Sequence, residues 1–332
     1  MPVRNKQWLL ESRPSGQARE SDFRLREADL SALHDGQVLV KVHYLSLDPY
    51  MRGRMNDARS YATPQPLGEV MIGGTVGEIL ESKNPKFTPG ESVVGMGGWQ
   101  EYFVSDGKGL MKADTRALPA SVYLGCVGMP GITAWYGLTH IGRPKPGETV
   151  VVSAASGAVG SVVGQLARNK GCRTVGIAGG KAKCTYVTDE LGFDACIDYK
   201  ADGFFDKLVE ATPNRIDVVF ENVGGRVFDA ALARMNDFGR VIICGMIAGY
   251  DGQDLPLKNV GSILTNRLLV QGFIVSEHME VWPQALRDLA GYVSQGKIKY
   301  RETIAQGIES APKAFIGLLK GENFGKQLVK VS

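Results

Sequence analysis

One stretch constrains the fold more than any other: VVVSAASGAVGSVVGQLARNKGCRTVGIAGGKAKC, Val150–Cys184, and the rhythm it begins. ETVVVSA reads as a buried strand, a run of small residues follows, and Ala158–Lys170 reads as a helix. The same alternation then recurs. CRTVGIA, ACIDY, IDVVFENV, GRVIICG and LLVQGFIVS (Leu268–Ser276) read as strands, with helices over Lys181–Leu191, Phe204–Ala211 and Arg226–Met235. Short apolar strands alternating with helices cover both faces of a parallel sheet. Six strands with a glycine loop after the first predict an α/β, doubly wound (Rossmann) dinucleotide-binding unit.

The first third of the chain has a different period. Val38, Val40, Val42 and Tyr44 alternate along QVLVKVHYLSLD, and MIGGTVGEIL, ESVVGM and QEYFVS follow between glycine turns. Period-2 strands with interior glycines predict a small barrel. After the sixth parallel strand come a helix near Val281–Gly296, the segment YRETIA, a helix near Glu309–Leu319 and a strand in KQLVKVS, which return to the first domain. The expected division is 1–119, 120–293 and 294–332. A chain of 332 residues, 44% of them hydrophobic, suffices for two cores.

Several function classes are set aside by composition. A net charge of +3 with no long basic run offers no nucleic-acid surface. No apolar window is long enough to span a membrane, and no signal peptide is visible at MPVRNKQWLLES. The five cysteines form no CxxC pair, which fits a cytoplasmic protein with reduced thiols. Cys126, Cys172 and Cys244 sit in apolar sequence and read as core thiols. With four histidines, no HExxH and no cysteine before Cys126, no zinc site is expected.

The loop Ala155-Ser156-Gly157-Ala158-Val159-Gly160 varies the GxGxxG pattern, with alanine in first place. Gly157 admits a pyrophosphate close to the backbone, Gly160 admits close packing of helix on strand, and the helix N-terminus offers amides to the phosphates. At the end of the second strand, a carboxylate would bind the ribose 2′-hydroxyl of NAD. Here stand Gly179, Gly180, Lys181, Ala182 and Lys183. Lysines attract a 2′-phosphate that a carboxylate would repel, so the loop favours NADP. Tyr250, just past the fifth strand, lies on the carboxyl edge of the sheet, where a phenol suits proton donation to an enolate-like oxygen. Loop packing is its plainer role.

LSLDPYMRGRM, MPGITAWYGL, AASGAVGSVVGQLARNKGC, LGFDACIDYK, FENVGG, CGMIAGY and GENFGKQLVKV occur in this order along the chain. Together they resemble the zinc-independent medium-chain reductases, in the branch of prostaglandin reductases, leukotriene dehydrogenases, curcumin reductases and alkenal double-bond reductases. The resemblance implies a GroES-like β-barrel domain beside the Rossmann domain. It also implies NADPH-dependent reduction of the C=C bond of α,β-unsaturated ketones and aldehydes, with hydride added at the β-carbon and a proton at the α-carbon. By the same resemblance Lys183 and Tyr199 meet the 2′-phosphate, and Thr133 and Phe273-Ile274-Val275 meet the nicotinamide. Asn222, Gly245 and Asn323 are further cofactor contacts, and Tyr250 steadies or protonates the enolate. Relatives often carry serine where Gly180 stands, so one phosphate hydroxyl is missing here, and Lys181 is placed to compensate.

Tyr50 and Tyr61 either line the substrate slot or fill a core. Arg52 and Arg54 read as surface charges rather than substrate contacts, and Trp99 equally as a slot residue or as barrel packing. A quinone reductase on the same fold and a noncatalytic NADP-binding protein are the competing functions. A homodimer is expected, since the apolar sixth strand offers an edge to a partner.

Overall fold

The computed structural model describes residues 4–332. It separates into two compact units: the chain up to Leu124 together with Glu302–Ser332, and Gly125–Arg301. These seams fall a few residues beyond the breaks at 119/120 and 293/294 expected from the sequence.

The first unit opens with β1 (Arg4–Leu10) antiparallel to β2 (Phe23–Asp29). Neither was legible in the sequence. β2 is FRLREAD and almost wholly exposed, so it carries no apolar period and exists as a strand through its partner's hydrogen bonds. β3 (Val38–Ser46) is the centre of the unit. A short helix, α1 (Tyr50–Arg54), follows, then β4 (Thr75–Ser82), β5 (Ser92–Gly95), β6 (Tyr102–Ser105) and β7 (Met111–Lys112). β3 pairs antiparallel with β4 and β6, and β4 with β5. Val38, Val40 and Val42 point into a core with Ile79, Val93 and Phe103. Trp99 is fully buried in a second core, stacked on Phe23 at 5.1 Å and edge-on to Phe315 at 5.5 Å.

In the second unit α2 (Met129–Tyr136) precedes β8 (Thr149–Ser153), α3 (Gly160–Asn169), β9 (Arg173–Ala178) and α4 (Lys181–Thr185), which runs on into a π-helical turn, Tyr186–Glu190. Then come β10 (Ala195–Asp198), α5 (Phe204–Ala211), β11 (Ile216–Glu221), α6 (Gly225–Leu232), β12 (Met235–Ile243), α7 (Ser262–Thr265), β13 (Leu269–Gly272) and α8 (Trp282–Ser294). The six strands lie in the order β10-β9-β8-β11-β12-β13, and every pairing is parallel. β8 is central and all five of its residues are buried, as helices on both faces require. Each fully buried Val or Ile there contributes roughly 1.5–3 kcal/mol relative to exposure. β13 is shorter than expected and exposed along its whole length.

The last elements, β14 (Glu302–Gln306), α9 (Ala311–Leu319) and β15 (Lys326–Lys330), belong to the first unit. β15 pairs antiparallel with the second half of β3, Leu328 opposite Ser46, and β14 runs parallel to β15. The result is a GroES-like antiparallel unit and a Rossmann unit.

Candidate active site

A parallel sheet puts all its strand ends on one edge, so six loops from distant parts of the chain meet there. Most of the residues singled out from the sequence lie on these loops. Ser156–Gly160 follow β8, Gly180 and Lys183 follow β9, and Tyr199 follows β10. Asn222 follows β11, Gly245 and Tyr250 follow β12, and Phe273–Val275 follow β13.

The loop after β8 is tight. Gly157 N–H donates to the Ala154 carbonyl at 2.9 Å, and Ser161 N–H to the Gly157 carbonyl at 3.0 Å. A Cβ on Gly160 would stand 2.4 Å from the Ala154 oxygen, so only glycine lets α3 start this close to the strand. The left-handed residue is Ala154, at φ +49°, one position before the alanine that replaces the usual first glycine. Ala155 itself is not left-handed, which is why that replacement is tolerated. Val159 caps α3 without a side-chain acceptor, and the amides of Ser161, Val162 and Val163 turn back onto the carbonyls of Gly157 and Val159.

At the ends of β9 and β10 a basic cluster surrounds one ring. Tyr199 lies against Gly179, where a Cβ would approach its ring to 2.9 Å. The Lys200 ammonium is 6.0 Å and the Arg226 guanidinium 5.7 Å from the ring centre, and Arg226 also donates to the Tyr199 carbonyl. Lys183 is half-buried; burial first, then the nearby Lys200 charge, holds its ammonium below the ordinary lysine value. Lys200 and Arg226 were not found from the sequence. Lys200 adjoins Tyr199, a signal within reach, but Arg226 arrives from α6 by folding alone. Asp198 also comes close, but its Oδ1 accepts the amides of Gly180 at 2.8 Å and Lys200 at 2.9 Å. These bonds, that of Gly180 foremost, hold its carboxyl below the usual range. Gly180 is at φ +96°, a conformation serine rarely adopts, so the backbone here departs from the serine-bearing pattern as well as the side chain.

The ends of β8, β11 and β12 are tied together by a residue the sequence reading passed over. Glu221 is 1% exposed. Its Oε1 accepts the amides of Val223 (2.6 Å) and Gly224 (2.7 Å) and the hydroxyl of Ser153 (3.0 Å). Its carbonyl accepts the amides of Cys244 and Gly245. Burial raises its carboxyl above the ordinary value, and the amide bonds work against that rise. Asn222 is held in turn: its amide donates to Ser153 Oγ at 2.7 Å and its Nδ2 to the Ser153 carbonyl at 2.8 Å. Tyr250 caps a 3-10 turn, Ile247–Gly249, and its hydroxyl lies over Gly245, 3.3 Å from where a Cβ would stand. Glu221 therefore reaches Tyr250 through Gly245.

Phe273 packs on Tyr136 and Phe220, with ring centres at 5.4 and 6.5 Å. Ile274 is half-buried and Val275 buried, and α2 packs against the turn that begins at Val275. Thr133, on α2, is 7% exposed and gives its hydroxyl proton to the Met129 carbonyl at 2.7 Å, leaving it an acceptor. Cys126 and Cys172 are buried, and burial pushes the Cys244 thiol up to about 12.

The first unit holds the remaining candidates. Tyr50 begins α1 and packs on the Trp99 core; burial raises its phenol well above the ordinary value. Tyr61 is 54% exposed under the Arg54 guanidinium, 5.8 Å from the ring centre. Asn323 Nδ2 donates to the Gly325 carbonyl at 2.8 Å, fixing the turn into β15. Arg52 corrects the expectation of a surface charge. It is 2% exposed, and donates to Asn56 Oδ1 at 2.6 Å and to the Gly16 carbonyl at 2.5 Å, so it ties α1 to a preceding loop. The pattern of charge in YMRGR did not distinguish it from Arg54. Behind Tyr50, Lys326 and Asp48 form a buried ion pair at 2.9 Å. Among the described residues no group of three or more His, Cys, Asp or Glu side chains is placed to hold a metal ion, and no helix is long and apolar enough to cross a membrane.

A glycine-turned phosphate cradle on a Rossmann sheet, joined in one chain to a GroES-like unit, defines a medium-chain dehydrogenase/reductase. The family models agree: residues 6–113 match an N-terminal domain of oxidoreductase, and residues 158–291 match a zinc-binding dehydrogenase. The chain is 46% identical to the NADPH-dependent curcumin reductase of Escherichia coli over 99% of its own length and 97% of that protein. It is 43% identical to prostaglandin reductase 1 of Rattus norvegicus over 99% of each. The crystal structure of CurA in complex with NADPH from Vibrio vulnificus superposes with a TM-score of 0.94 at 45% identity, over 99% of each chain. The chain belongs to the medium-chain dehydrogenase/reductase superfamily, in its group of NADP-dependent prostaglandin, curcumin and alkenal reductases.

Proposed function

We propose that this chain uses NADPH to reduce the C=C bond of α,β-unsaturated ketones and aldehydes, adding hydride at the β-carbon and a proton at the α-carbon. The observation that carries the reading is the basic group at the ends of β9 and β10, Lys183 near Lys200 and both Lys200 and Arg226 against the Tyr199 ring, on the same sheet edge as the glycine loop before α3. The residues fit the cofactor: amides near Ser156, Gly157, Ala158, Val159 and Gly160 suit a pyrophosphate, and the cationic cluster suits a 2′-phosphate. Thr133, Asn222, Gly245, Phe273, Ile274, Val275 and Asn323 are assigned to the rest of the cofactor. Bound there, NADPH supplies the hydride.

The protein's part is to orient the enone and steady charge on its carbonyl oxygen. Tyr250 is the donor for that oxygen; a phenol on the sheet edge gives a hydrogen bond that steadies the enolate while its α-carbon takes the proton. Tyr50 and Tyr61 are assigned to the substrate slot. The relatives' names, curcumin reductase and prostaglandin reductase, support the substrate class. The assembly proposed is a cytoplasmic homodimer joined through the exposed β13 edge.

Lys183→Ala is expected to raise the KM for NADPH about tenfold or more and leave that for NADH nearly unchanged, a loss of about 1.4 kcal/mol or more confined to the phosphate. Equal effects on the two cofactors remove the 2′-phosphate role. Tyr250→Phe is expected to lower kcat about a hundredfold at unchanged KM for NADPH, measured as enone-dependent NADPH oxidation. Full turnover by this variant excludes Tyr250 as donor.

A further inference from the structure

Cys184 and Cys196 take no part in the chemistry above, yet they meet. Cys184 lies on α4 immediately after Lys183, and Cys196 on β10 three residues before Tyr199. α4 packs on β10, and the two side chains line one cavity, near enough for each to shift the other's titration. Cys196 Sγ sits over Gly176 of β9, 3.2 Å from where a Cβ would stand, so the strand leaves room for the sulfur. The pair is reachable from solvent, since both cysteines line an open cavity of ≈ 540 Å³ with Lys181, Asp198, Lys207 and Glu210. Neighbouring thiols on elements already packed together close into a disulfide when one element shifts toward the other.

We propose that Cys184 and Cys196 are a redox couple: a hydroperoxide converts them to a disulfide that shifts Lys183 and weakens binding of NADPH. This consequence for the cofactor rests on the 2′-phosphate reading of Lys183 and Tyr199. The Cys184 thiolate attacks the peroxide oxygen, the O–O bond breaks, and the alkoxide or hydroxide leaves with a proton as alcohol or water. The sulfenic acid on Cys184 is then attacked by the Cys196 sulfur, forming the S–S bond and releasing water. Two thiols lose two electrons and one peroxide gains them. The order follows from the coupling of the two thiols: the neighbouring Cys196 holds Cys184 below the ordinary thiol value, while Cys184, then burial, raises Cys196. An S–S bond of about 2.0 Å is shorter than any contact between two thiols, so closure draws α4 toward β10. Lys183, the residue before Cys184, moves with it.

The test uses reduced full-length enzyme treated with a small excess of hydrogen peroxide. Titration of the denatured protein is expected to lose two of the five thiols, and peptide mapping to yield one Cys184–Cys196 cross-link. The KM for NADPH is expected to rise about fivefold at nearly constant kcat, and to recover with dithiothreitol. Cys184→Ser and Cys196→Ser, two independent variants, are each expected to keep an unchanged KM under peroxide. Retention of all five thiols, a different cross-link, a KM unmoved by the disulfide, or an equal rise in either serine variant overturns the proposal. Lys183→Ala separates the two readings. If it discriminates NADPH from NADH while oxidation leaves the KM unmoved, the thiol proposal fails and the phosphate site stands. If it affects both cofactors alike, the phosphate site fails, and with it the effect on NADPH.

Discussion

Asp48 and Glu221 are buried carboxylates behind the candidate functional residues of their units, and the two are satisfied differently. Asp48, behind Tyr50 in the GroES-like unit, faces a full counter-charge. The Lys326 ammonium donates to its Oδ1 at 2.9 Å and to the carbonyls of Leu47 (2.5 Å) and Gln327 (3.1 Å), while Ser46 donates to the other oxygen. Glu221, behind Tyr250 in the Rossmann unit, is held by two amides and a hydroxyl. The difference follows from the local fold. β15 brings a lysine alongside β3 and its following loop, whereas β11 ends where three loops turn and present their amides. An ion pair costs heavily when halved, because the remaining charge is stranded; amide bonds are lost one by one.

The largest effect is therefore expected at Lys326. Lys326→Met leaves Asp48 buried without its partner and is expected to destabilise the protein by about 3–5 kcal/mol, and the double variant with Asp48→Asn to recover most of that. Denaturant unfolding of both measures it, and a double variant no better than the single breaks the contrast. Next is Glu221→Ala, which leaves two amides and a hydroxyl without their acceptor. It is expected to cost about 2–4 kcal/mol, while Glu221→Gln, which keeps one carbonyl oxygen, costs about 1. If the glutamine variant loses as much as the alanine one, the charge and not the acceptor matters, and Glu221 resembles Asp48 after all.

The smallest effect is in pH. Glu221 has a raised folded pKa, so between its unfolded value near 4.5 and that raised value the native state binds more protons than the unfolded one. Stability from this group is then greatest below the unfolded pKa and is lost as pH rises through the folded one. Relative to Glu221→Gln, the wild-type melting temperature is expected to rise as pH is lowered through this window. A difference flat in pH shows that Glu221 does not titrate on folding.

Much of the Rossmann unit was legible because its signals are local. VVVS is apolar enough to be buried on both faces, and Phe204–Ala211 was read with the bounds it has in the structure. Gly160 announces a helix packed against a strand, and Lys183 after Gly179-Gly180 announces a cationic loop. The signals failed where partners decide. FRLREAD has no period of its own, and is a strand only against β1. Arg52 and Arg54 share one helix and one charge, and only the loop at Gly16 and Asn56 buries the first.

By itself, then, the sequence determined the alternation of strand and helix, the glycine loop and the basic residues after β9, because these depend on neighbours along the chain. The tertiary structure alone decided which charges are buried and what satisfies them. Arg226 reaches Tyr199 from α6, Lys326 reaches Asp48 across 278 positions of sequence, and Cys184 of a helix comes to line one cavity with Cys196 of a strand. Long-range pairing of this kind leaves no period in the sequence, since the desolvation that makes it matter exists only once the chain has folded.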